Sequence, residues 1–443
     1  MRKFGEEKGL PQMGMHAIIG IAINFADDPS ALFTGEIRMK KKALLAGAGL
    51  VLVLSMFGCA GVREMAENVG MAFSETVEKA PHLFSSGGRE LKRQIEELES
   101  ASVPEEMPGH QEYYFHQADE QEKRIYRQIQ SGIEEFETDI LLTTADDDLI
   151  DRAYQKVLMD HPEYFWAQNA GNTRKILYTT YARLQPGYNI SASEARSQTE
   201  QIEKLADEIL AEVDQKENTY LTARLIYEHI ITDTEYVQNE NDQNIAGVFL
   251  QNEAVCAGYA RAFQYLCEKA GIECIYVTGD ARDTVEGHAW NMIKLDGEYY
   301  YVDVTYGDMP EFSSSLEENQ VLYDYFCPFP EEYEQLVTPD AGLVLPSCTA
   351  TANNYYVRNA SCFEEFDRTE LYNYFVYQID EKNRVIHFKY TNREAYERAK
   401  TELRDNGLLD ELAGYFMDYY GLDTLNYRYG TLDELYTFYV GMP

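Results

Sequence analysis

The fold is decided by one stretch of sequence, Ala254-Val255-Cys256-Ala257-Gly258-Tyr259-Ala260-Arg261-Ala262-Phe263. Apolar residues recur at helical spacing from Ala260 to Ala270, and Gly271 follows as a residue that ends helices. The pattern predicts a helix with Cys256 in its first turn. Backbone N–H groups and the helix dipole stabilise a thiolate there, and the thiolate is the nucleophilic form of cysteine. The position alone leaves an alternative open, because small buried cysteines that pack or form disulfides are common.

A β-hairpin is predicted further along the chain. Asp296-Gly297 is a type I′ turn signal between predicted strands at 289–295 and 298–305. Because side chains two residues apart share a face, a two-residue loop brings four side chains to one face: His288, Trp290, Asp303 and Thr305. The other face is apolar and is predicted to be hydrophobic core.

On the shared face, Asp303 is the diagonal neighbour of His288, on the order of 7 Å away between backbones. A carboxylate at that distance can fix the imidazole tautomer and leave the other ring nitrogen for a thiol. Trp290 can either wall an acyl tunnel or pack against the helix that contains Cys256. A hydrogen-bonded surface pair is the alternative interpretation of His288 and Asp303, and a three-residue loop would turn Asp303 away.

Three sequence blocks resemble the transglutaminase-like core of bacterial cysteine enzymes. In order along the chain, they are VCAGYA at 255–260, GHAWN at 287–291 and YYYVDVTYGD at 299–308. The resemblance implies a papain-like triad with Cys256 as nucleophile, His288 as general base and acid, and Asp303 as orienting carboxylate. The backbone N–H of Cys256 is the expected oxyanion donor. Gln243 is either a side-chain helper for the oxyanion or a solvated loop amide.

An α+β fold follows from this resemblance and from the order of the predicted elements. Its core is predicted to be papain/transglutaminase-like, with the nucleophile helix packed on an antiparallel sheet. A helical N-terminal flank, interrupted at Pro186-Gly187, precedes the core. A small C-terminal α/β unit follows, with strands at 385–390 and 436–440 and a helix pattern at 393–417. The predicted boundaries are 110–215 for the flank, 216–350 for the catalytic core and 351–443 for the C-terminal unit.

The first part of the chain is predicted to direct export. Three lysines at 40–42 precede an apolar run at 43–57 and then Cys59, an arrangement that resembles a bacterial lipoprotein signal. Lipidation of Cys59 is therefore expected, with ordinary signal cleavage or an uncleaved anchor as alternatives. Because Met39 opens the signal, the residues before it are expected to be absent from the mature protein. The predicted segments are a spurious extension at 1–38, a signal peptide at 39–58 and a flexible tether at 59–109.

Composition limits the partners and the chemistry. The 443 residues include 38 Lys and Arg against 76 Asp and Glu, for a formal net charge of −38, which repels phosphate backbones and anionic membrane surfaces. Nucleic acid is therefore excluded as a partner, and membrane contact is expected only through a lipid anchor. No Cys-x-x-Cys motif occurs, so neither a metal site nor a cofactor is predicted. Of the remaining cysteines, Cys348 and Cys362 are the first candidates for a disulfide.

These observations predict an exported, lipid-anchored cysteine acyl-transfer enzyme that forms a thioester on Cys256. The expected substrate is a peptide or protein amide, such as a cell-wall peptide, and the expected assembly is a monomer. Water would complete hydrolysis and a second amine would complete transamidation, and the residues do not choose between them. The alternative is a non-catalytic surface module of the same fold that holds peptide or glycan.

Overall fold

The computed structural model of the chain describes residues 86–101, 103–104, 111–176, 179–213, 218–282, 287–308 and 321–442. The predicted extension, the signal and Cys59 lie outside the described residues. The chain divides into two compact units, 1–94 and 95–443, and helix α1 (Ser86–Ser100) begins in the first of them. No helix in the described part of the chain is both long and apolar enough to cross a membrane.

The N-terminal flank contains helices together with a three-stranded antiparallel sheet. Its elements, in chain order, are α2 (Tyr113–His116), α3 (Glu120–Glu134), β1 (Ile140–Leu142), α4 (Asp147–Asp160), β2 (Ala167–Lys175), β3 (Ala182–Tyr188) and α5 (Ala192–Val213). The strands lie in the order β1-β3-β2. The predicted helices of the flank are thus accompanied by a sheet that the sequence did not indicate, because the polar sequence of β2 has no alternating pattern typical of a strand.

Pro186 lies inside strand β3 and does not separate two elements as the sequence pattern predicts. Strand β1 pairs with β3 only from Ala182 to Leu184, so Pro186 has a strand neighbour on one side alone, where it faces Gly171. A proline lacks the backbone N–H that a ladder on both sides requires, and it is tolerated where one side is unpaired. The predicted break is therefore a position of the central strand β3 that lies beyond the end of its pairing with β1.

The core of the chain combines the nucleophile helix with a four-stranded antiparallel sheet. Its helices are α6 (Thr219–Asp233), a π-helix (Gly247–Gln251), α7 (Cys256–Lys269), α8 (Val304–Gly307), a 3₁₀ helix (Tyr323–Tyr325) and α9 (Pro330–Tyr333). Its strands are β4 (Glu235–Tyr236), β5 (Glu253–Ala254), β6 (Cys274–Ala281), β7 (His288–Leu295), β8 (Glu298–Val302) and β9 (Val337–Pro339). The main sheet has the order β8-β7-β6-β9, while β4 and β5 form a separate parallel pair.

The predicted hairpin register is confirmed. Leu295 pairs with Glu298 across the turn, and the ladder continues to Asn291, which pairs with Val302. Both turn residues have positive φ, 53° at Asp296 and 87° at Gly297, as a type I′ turn requires.

Strand β8 ends earlier than predicted. Asp303 leaves the ladder after Val302, and its side chain accepts a hydrogen bond from the Tyr306 N–H at the start of α8. The predicted strand at 298–305 is therefore wrong in its last three residues, and Thr305 lies in α8 and not opposite His288. The Asp303 carboxylate caps the start of α8 and satisfies a backbone N–H group there, which favours an end of the strand at Val302.

Both faces of the core sheet are buried. Ile293 and Val302, on the face predicted to be core, pack in one hydrophobic cluster with Phe263 of the nucleophile helix. Trp290, on the other face, belongs to a second cluster that includes Tyr333 and the C-terminal residues Leu435 and Tyr439. The alternative in which the polar face is a solvent-exposed surface is therefore wrong.

A C-terminal α/β unit completes the chain. Its elements are α10 (Tyr355–Arg358), β10 (Cys362–Phe363), α11 (Arg368–Asp380), β11 (Val385–Tyr390), α12 (Arg393–Arg404), α13 (Leu408–Tyr420), β12 (Arg428–Leu432) and β13 (Thr437–Gly441). The sheet order is β10-β11-β13-β12. The helix pattern predicted at 393–417 is two helices, because Gly407 has a φ of 76° that a helix interior does not allow.

Gly258 in the nucleophile helix fits where no side chain can. A Cβ built there would lie 2.4 Å from the Asp242 carbonyl oxygen and 2.7 Å from the Ala254 Cβ. We expect Gly258→Ala to lower the free energy of unfolding by about 1–3 kcal/mol, because overpacking forces the backbone apart. Urea denaturation measures the change.

Gly414 in α13 provides the matched control, since a Cβ there would meet nothing within 4 Å. Gly414→Ala should raise the free energy of unfolding by about 1 kcal/mol, because glycine is a poor residue for a helix interior. Equal effects of the two substitutions would contradict the packing argument.

Candidate active site

The nucleophile helix α7 begins at Cys256, which is half-buried. The preceding residue, Val255, occupies the N-cap position and has no side-chain group that could accept from the first turn. Its own N–H donates to the Asp242 carbonyl over 3.1 Å, which holds the start of the helix in place. The N–H groups of the first turn therefore point toward the site without a side-chain cap.

His288 is the first residue of β7 and contacts both other members of the predicted triad. Its Nε2 lies 2.7 Å from Asp303 Oδ2, and its ring also interacts with Cys256. Because Asp303 occupies Nε2, Nδ1 is the nitrogen left for the thiol. The structure thus brings Cys256, His288 and Asp303 into one line of contacts, from thiol through imidazole to carboxylate.

The electrostatics of this line favour a charged imidazole. Burial opposes the imidazolium and by itself lowers the pKa of His288, but two neighbours act in the opposite direction. The charge and hydrogen bond of Asp303, together with the contact to Cys256, raise that pKa to about 10. An imidazolium between a carboxylate and a thiolate is the charge arrangement that a cysteine nucleophile requires.

Asp303 is completely buried and accepts three hydrogen bonds from donors on three elements. His288 Nε2 and the Tyr333 hydroxyl both reach Oδ2, the hydroxyl over 2.8 Å, and the Tyr306 N–H reaches Oδ1 over 2.9 Å. A buried carboxylate remains charged only when such donors satisfy its oxygens. Tyr333 is missing from the sequence prediction, because it lies 30 positions after Asp303 and no local pattern links the two residues.

Two aromatic rings hold the imidazole plane. The Tyr306 ring stacks on His288 at a centroid distance of 4.6 Å, and the Trp290 ring stacks at 5.9 Å. Trp290 is fully buried and also contacts the Tyr333 ring, which agrees with a packing role. Its Nε1–H has no hydrogen-bond partner among the described residues.

Asn291 joins the histidine strand to the nucleophile helix. Its Nδ2 donates to the Ala260 carbonyl over 3.0 Å, and the side chain is completely buried. This bond fixes the distance between β7 and α7, and thus between His288 and Cys256. Asn291 is the last residue of the GHAWN motif, and nothing in that motif by itself indicates this role.

Gln243 is exposed and lies in the turn that precedes the π-helix. The neighbouring carbonyl of Asp242 contacts the start of α7 through Val255. The turn therefore lies beside the nucleophile helix, and a contribution of the Gln243 side chain to an oxyanion site stays a prediction.

All six cysteines in the described part of the chain are free thiols. The predicted Cys348–Cys362 disulfide is therefore wrong. Cys348 is buried in the second hydrophobic cluster, which includes Trp290 of the core sheet, while Cys362 lies in β10 of the C-terminal sheet. No group of His, Cys, Asp or Glu within the described ranges could hold a metal ion.

Residues 203–304 match the Transglutaminase-like superfamily. The chain carries a transglutaminase-like domain. The match covers the nucleophile helix, the histidine strand and the residue after β8, and so contains Cys256, His288 and Asp303. It ends before α9, which supplies Tyr333.

Two relatives align with part of the chain. Kyphoscoliosis peptidase of Mus musculus is 31% identical over 94 residues, which covers 18% of this chain and 14% of the mouse protein. Kyphoscoliosis peptidase of Homo sapiens is 29% identical over 118 residues, which covers 23% of this chain and 18% of the human protein. The chain thus matches less than a fifth of the length of either relative.

Two solved structures also resemble part of the chain. A structure described as a TGase is 13% identical, with 38% of this chain and 50% of that chain covered at a TM-score of 0.23. A structure from Cytophaga hutchinsonii described as a cysteine protease is 16% identical, with 31% and 61% covered at a TM-score of 0.22.

The raised pKa of His288 predicts how Asp303→Asn will behave. The substitution removes the charge that opposes burial, so the pKa of His288 should fall from about 10. We expect ¹⁵N NMR to show the wild-type ring protonated beyond pH 8 or so and the variant ring neutral there. A wild-type ring that titrates near its ordinary value of about 6.5 would contradict the prediction.

The same shift has a consequence for stability. Because folding raises the pKa of His288, the residue stabilises the folded state fully at pH values below its unfolded pKa of about 6.5. This stabilisation is lost as the pH rises through the folded pKa of about 10. The free energy of unfolding of the wild type should therefore decrease between these limits, and that of Asp303→Asn should decrease less. Urea denaturation at a series of pH values measures both.

Proposed function

We propose that this protein is a cysteine acyl-transfer enzyme that acts on peptide or amide bonds through a thioester on Cys256. The observation that carries the proposal is the line of contacts from the half-buried Cys256 thiol through the buried His288 imidazole to the buried Asp303 carboxylate. The match of residues 203–304 to the Transglutaminase-like superfamily supports the same chemistry. A module that only held peptide or glycan would not require a thiol beside an imidazole and a buried carboxylate.

In the first step, the Cys256 thiolate attacks the carbonyl carbon of the amide. The C–N bond breaks, His288 gives its proton to the leaving amine, and the acyl group stays on sulfur as a thioester. Asp303 keeps the imidazole oriented and stabilises its positive charge. The first-turn N–H groups of α7, which begin with that of Cys256, are the proposed donors to the oxyanion, with Gln243 as a candidate helper.

In the second step, an acceptor takes the acyl group from sulfur. Water gives a carboxylic acid and the free thiol, which is hydrolysis, whereas a primary amine gives a new amide, which is transamidation. In either case His288 takes the proton of the acceptor. The mouse and human relatives are named peptidases, which supports hydrolysis as the first reaction to test.

We further propose that the enzyme is exported and held at the membrane surface by a lipid on Cys59. The basic cluster at 40–42 and the apolar run at 43–57 support this location. A peptide or protein amide outside the cytoplasm, such as a cell-wall peptide, is then the proposed substrate. The net charge of −38 argues against a nucleic acid partner.

Cys256 should react with iodoacetamide faster than an ordinary thiol at pH 7. His288→Ala should slow the alkylation about tenfold, because the thiolate loses its positive neighbour. His229→Ala is the matched control, since His229 also faces a carboxylate, Asp233, but at the surface of α6. Mass spectrometry of the Cys256 peptide measures the rate. If Cys256 reacts no faster than the half-buried Cys362, the proposed nucleophile is refuted.

Turnover is tested with peptide amides in the presence and absence of a primary amine. We expect release of amine or ammonia with the wild type and a loss of 100-fold or more, roughly, with Cys256→Ala. Incorporation of the added amine would identify transamidation, and its absence with continued release would identify hydrolysis. Equal rates for the wild type and Cys256→Ala would overturn the proposed enzyme.

A further inference from the structure

Two residues from the segment after α8 hold Asp303 in place. The Tyr333 hydroxyl donates to Asp303 Oδ2 over 2.8 Å, and the Asp303 N–H donates to the Tyr325 carbonyl over 2.9 Å. Both tyrosines are buried. The side chain and the backbone of the carboxylate residue are thus fixed from outside the core sheet.

The residue before each of these tyrosines is bound by the C-terminal unit. Asp324 accepts hydrogen bonds from three hydroxyl groups of that unit: Tyr356, over 2.8 Å, and Thr437 and Tyr439. Glu332 accepts from Lys389 Nζ over 2.7 Å, and Lys389 also donates to the Leu435 carbonyl. The pairs Asp324-Tyr325 and Glu332-Tyr333 therefore each link the C-terminal unit to Asp303.

Three of these residues, Lys389, Thr437 and Tyr439, lie on one face of the C-terminal sheet, and Tyr356 adds a contact from helix α10. Lys389 of β11 lies directly opposite Thr437 of β13, and Tyr439 projects from the same face two residues further on. The alternate residues, Phe388 and Phe438, lie in the hydrophobic core of the unit. A polar face of this kind usually meets water, yet Lys389 is 2% exposed and Thr437 is completely buried.

The burial of Lys389 is costly unless a partner compensates it. An ammonium ion taken out of water loses hydration energy that only an opposite charge or several hydrogen bonds can replace. Glu332 and the Leu435 carbonyl provide both. The contact between the C-terminal unit and the core is therefore specific, because a shifted arrangement would leave the Lys389 charge buried without its partner Glu332.

We propose that the C-terminal unit is a positioning device for the catalytic carboxylate. Its polar sheet face fixes Asp324 and Glu332, their neighbours Tyr325 and Tyr333 fix Asp303, and Asp303 orients His288. Lys389 and Tyr333 are the principal positioning residues. The catalytic role of Asp303 rests on the proposed function, whereas the effect of the C-terminal unit on His288 can be measured without any substrate.

Lys389→Met tests the link. We expect it to slow alkylation of Cys256 by iodoacetamide about tenfold, and to lower the pKa of His288 toward its ordinary value of about 6.5 in ¹⁵N NMR. Lys400→Met is the matched control, because Lys400 pairs with Asp433 in the same unit but at the surface. It should change neither quantity. An unchanged His288 titration in Lys389→Met, with the fold intact by circular dichroism, would overturn the proposal.

A double substitution separates positioning from general destabilisation. If Lys389 acts through Asp303, Lys389→Met should have no further effect on the alkylation rate in a protein that already carries Asp303→Asn. If the two effects add, Lys389 acts by another route and the proposal fails. The alkylation rate and the NMR titration test the positioning role even if the wild type turns over no amide. An absence of turnover would refute only the proposed function.

Tyr333→Phe provides a second test that retains the ring and its packing. We expect a rate loss of several-fold, roughly, that also disappears in the Asp303→Asn background. Tyr415→Phe is its control, since the Tyr415 hydroxyl also donates to a carboxylate, that of Asp380, but at an exposed site of the C-terminal unit. Equal rate losses for Tyr333→Phe and Tyr415→Phe would contradict the role of Tyr333.

Discussion

The rest of the structure depends on the hydrogen bond between the Asp303 carboxylate and the His288 imidazole, 2.7 Å long and out of contact with water. A buried carboxylate costs several kcal/mol, roughly, unless donors surround it. The donors here come from β7, α8 and α9, and a backbone carbonyl at 325 accepts from its N–H. These elements must converge on one residue, which explains why the chain turns sharply after β8 and returns to the sheet at α9.

Cys256 is held beside Asp303 and His288 because helix α7 packs on the opposite face of strand β7. Asn291 of β7 is bonded to the backbone of α7, and Gly258 lets that helix lie against the turn at 241–244. The distance between thiol and imidazole is thus determined by one side-chain bond and one close backbone contact. Burial then strengthens the charge interactions within the line, because a low-dielectric surrounding does not screen them.

Sequence reasoning succeeds where the determining forces are local. The register of the hairpin follows from Asp296-Gly297, because the turn type fixes the loop length and therefore every pair in the ladder. The strand at 385–390 follows from a local signal of the same kind. Prediction fails where long-range pairing overrides local preference, as at Pro186 within β3, and where one backbone angle divides a helix pattern, as at Gly407.

The sequence by itself determined the nucleophile helix, the hairpin and the placement of Cys256, His288 and Asp303 on facing elements, because helical spacing, turn chemistry and strand alternation are properties of neighbouring residues. Only the tertiary structure decided what surrounds Asp303. The alternation of β11 around Lys389 has the pattern of a half-exposed strand, yet Lys389 is buried against Glu332, and Thr437 of the neighbouring strand β13 is buried against Asp324. The partners lie 57 and 113 positions away along the chain, and no local pattern encodes a contact at such separations.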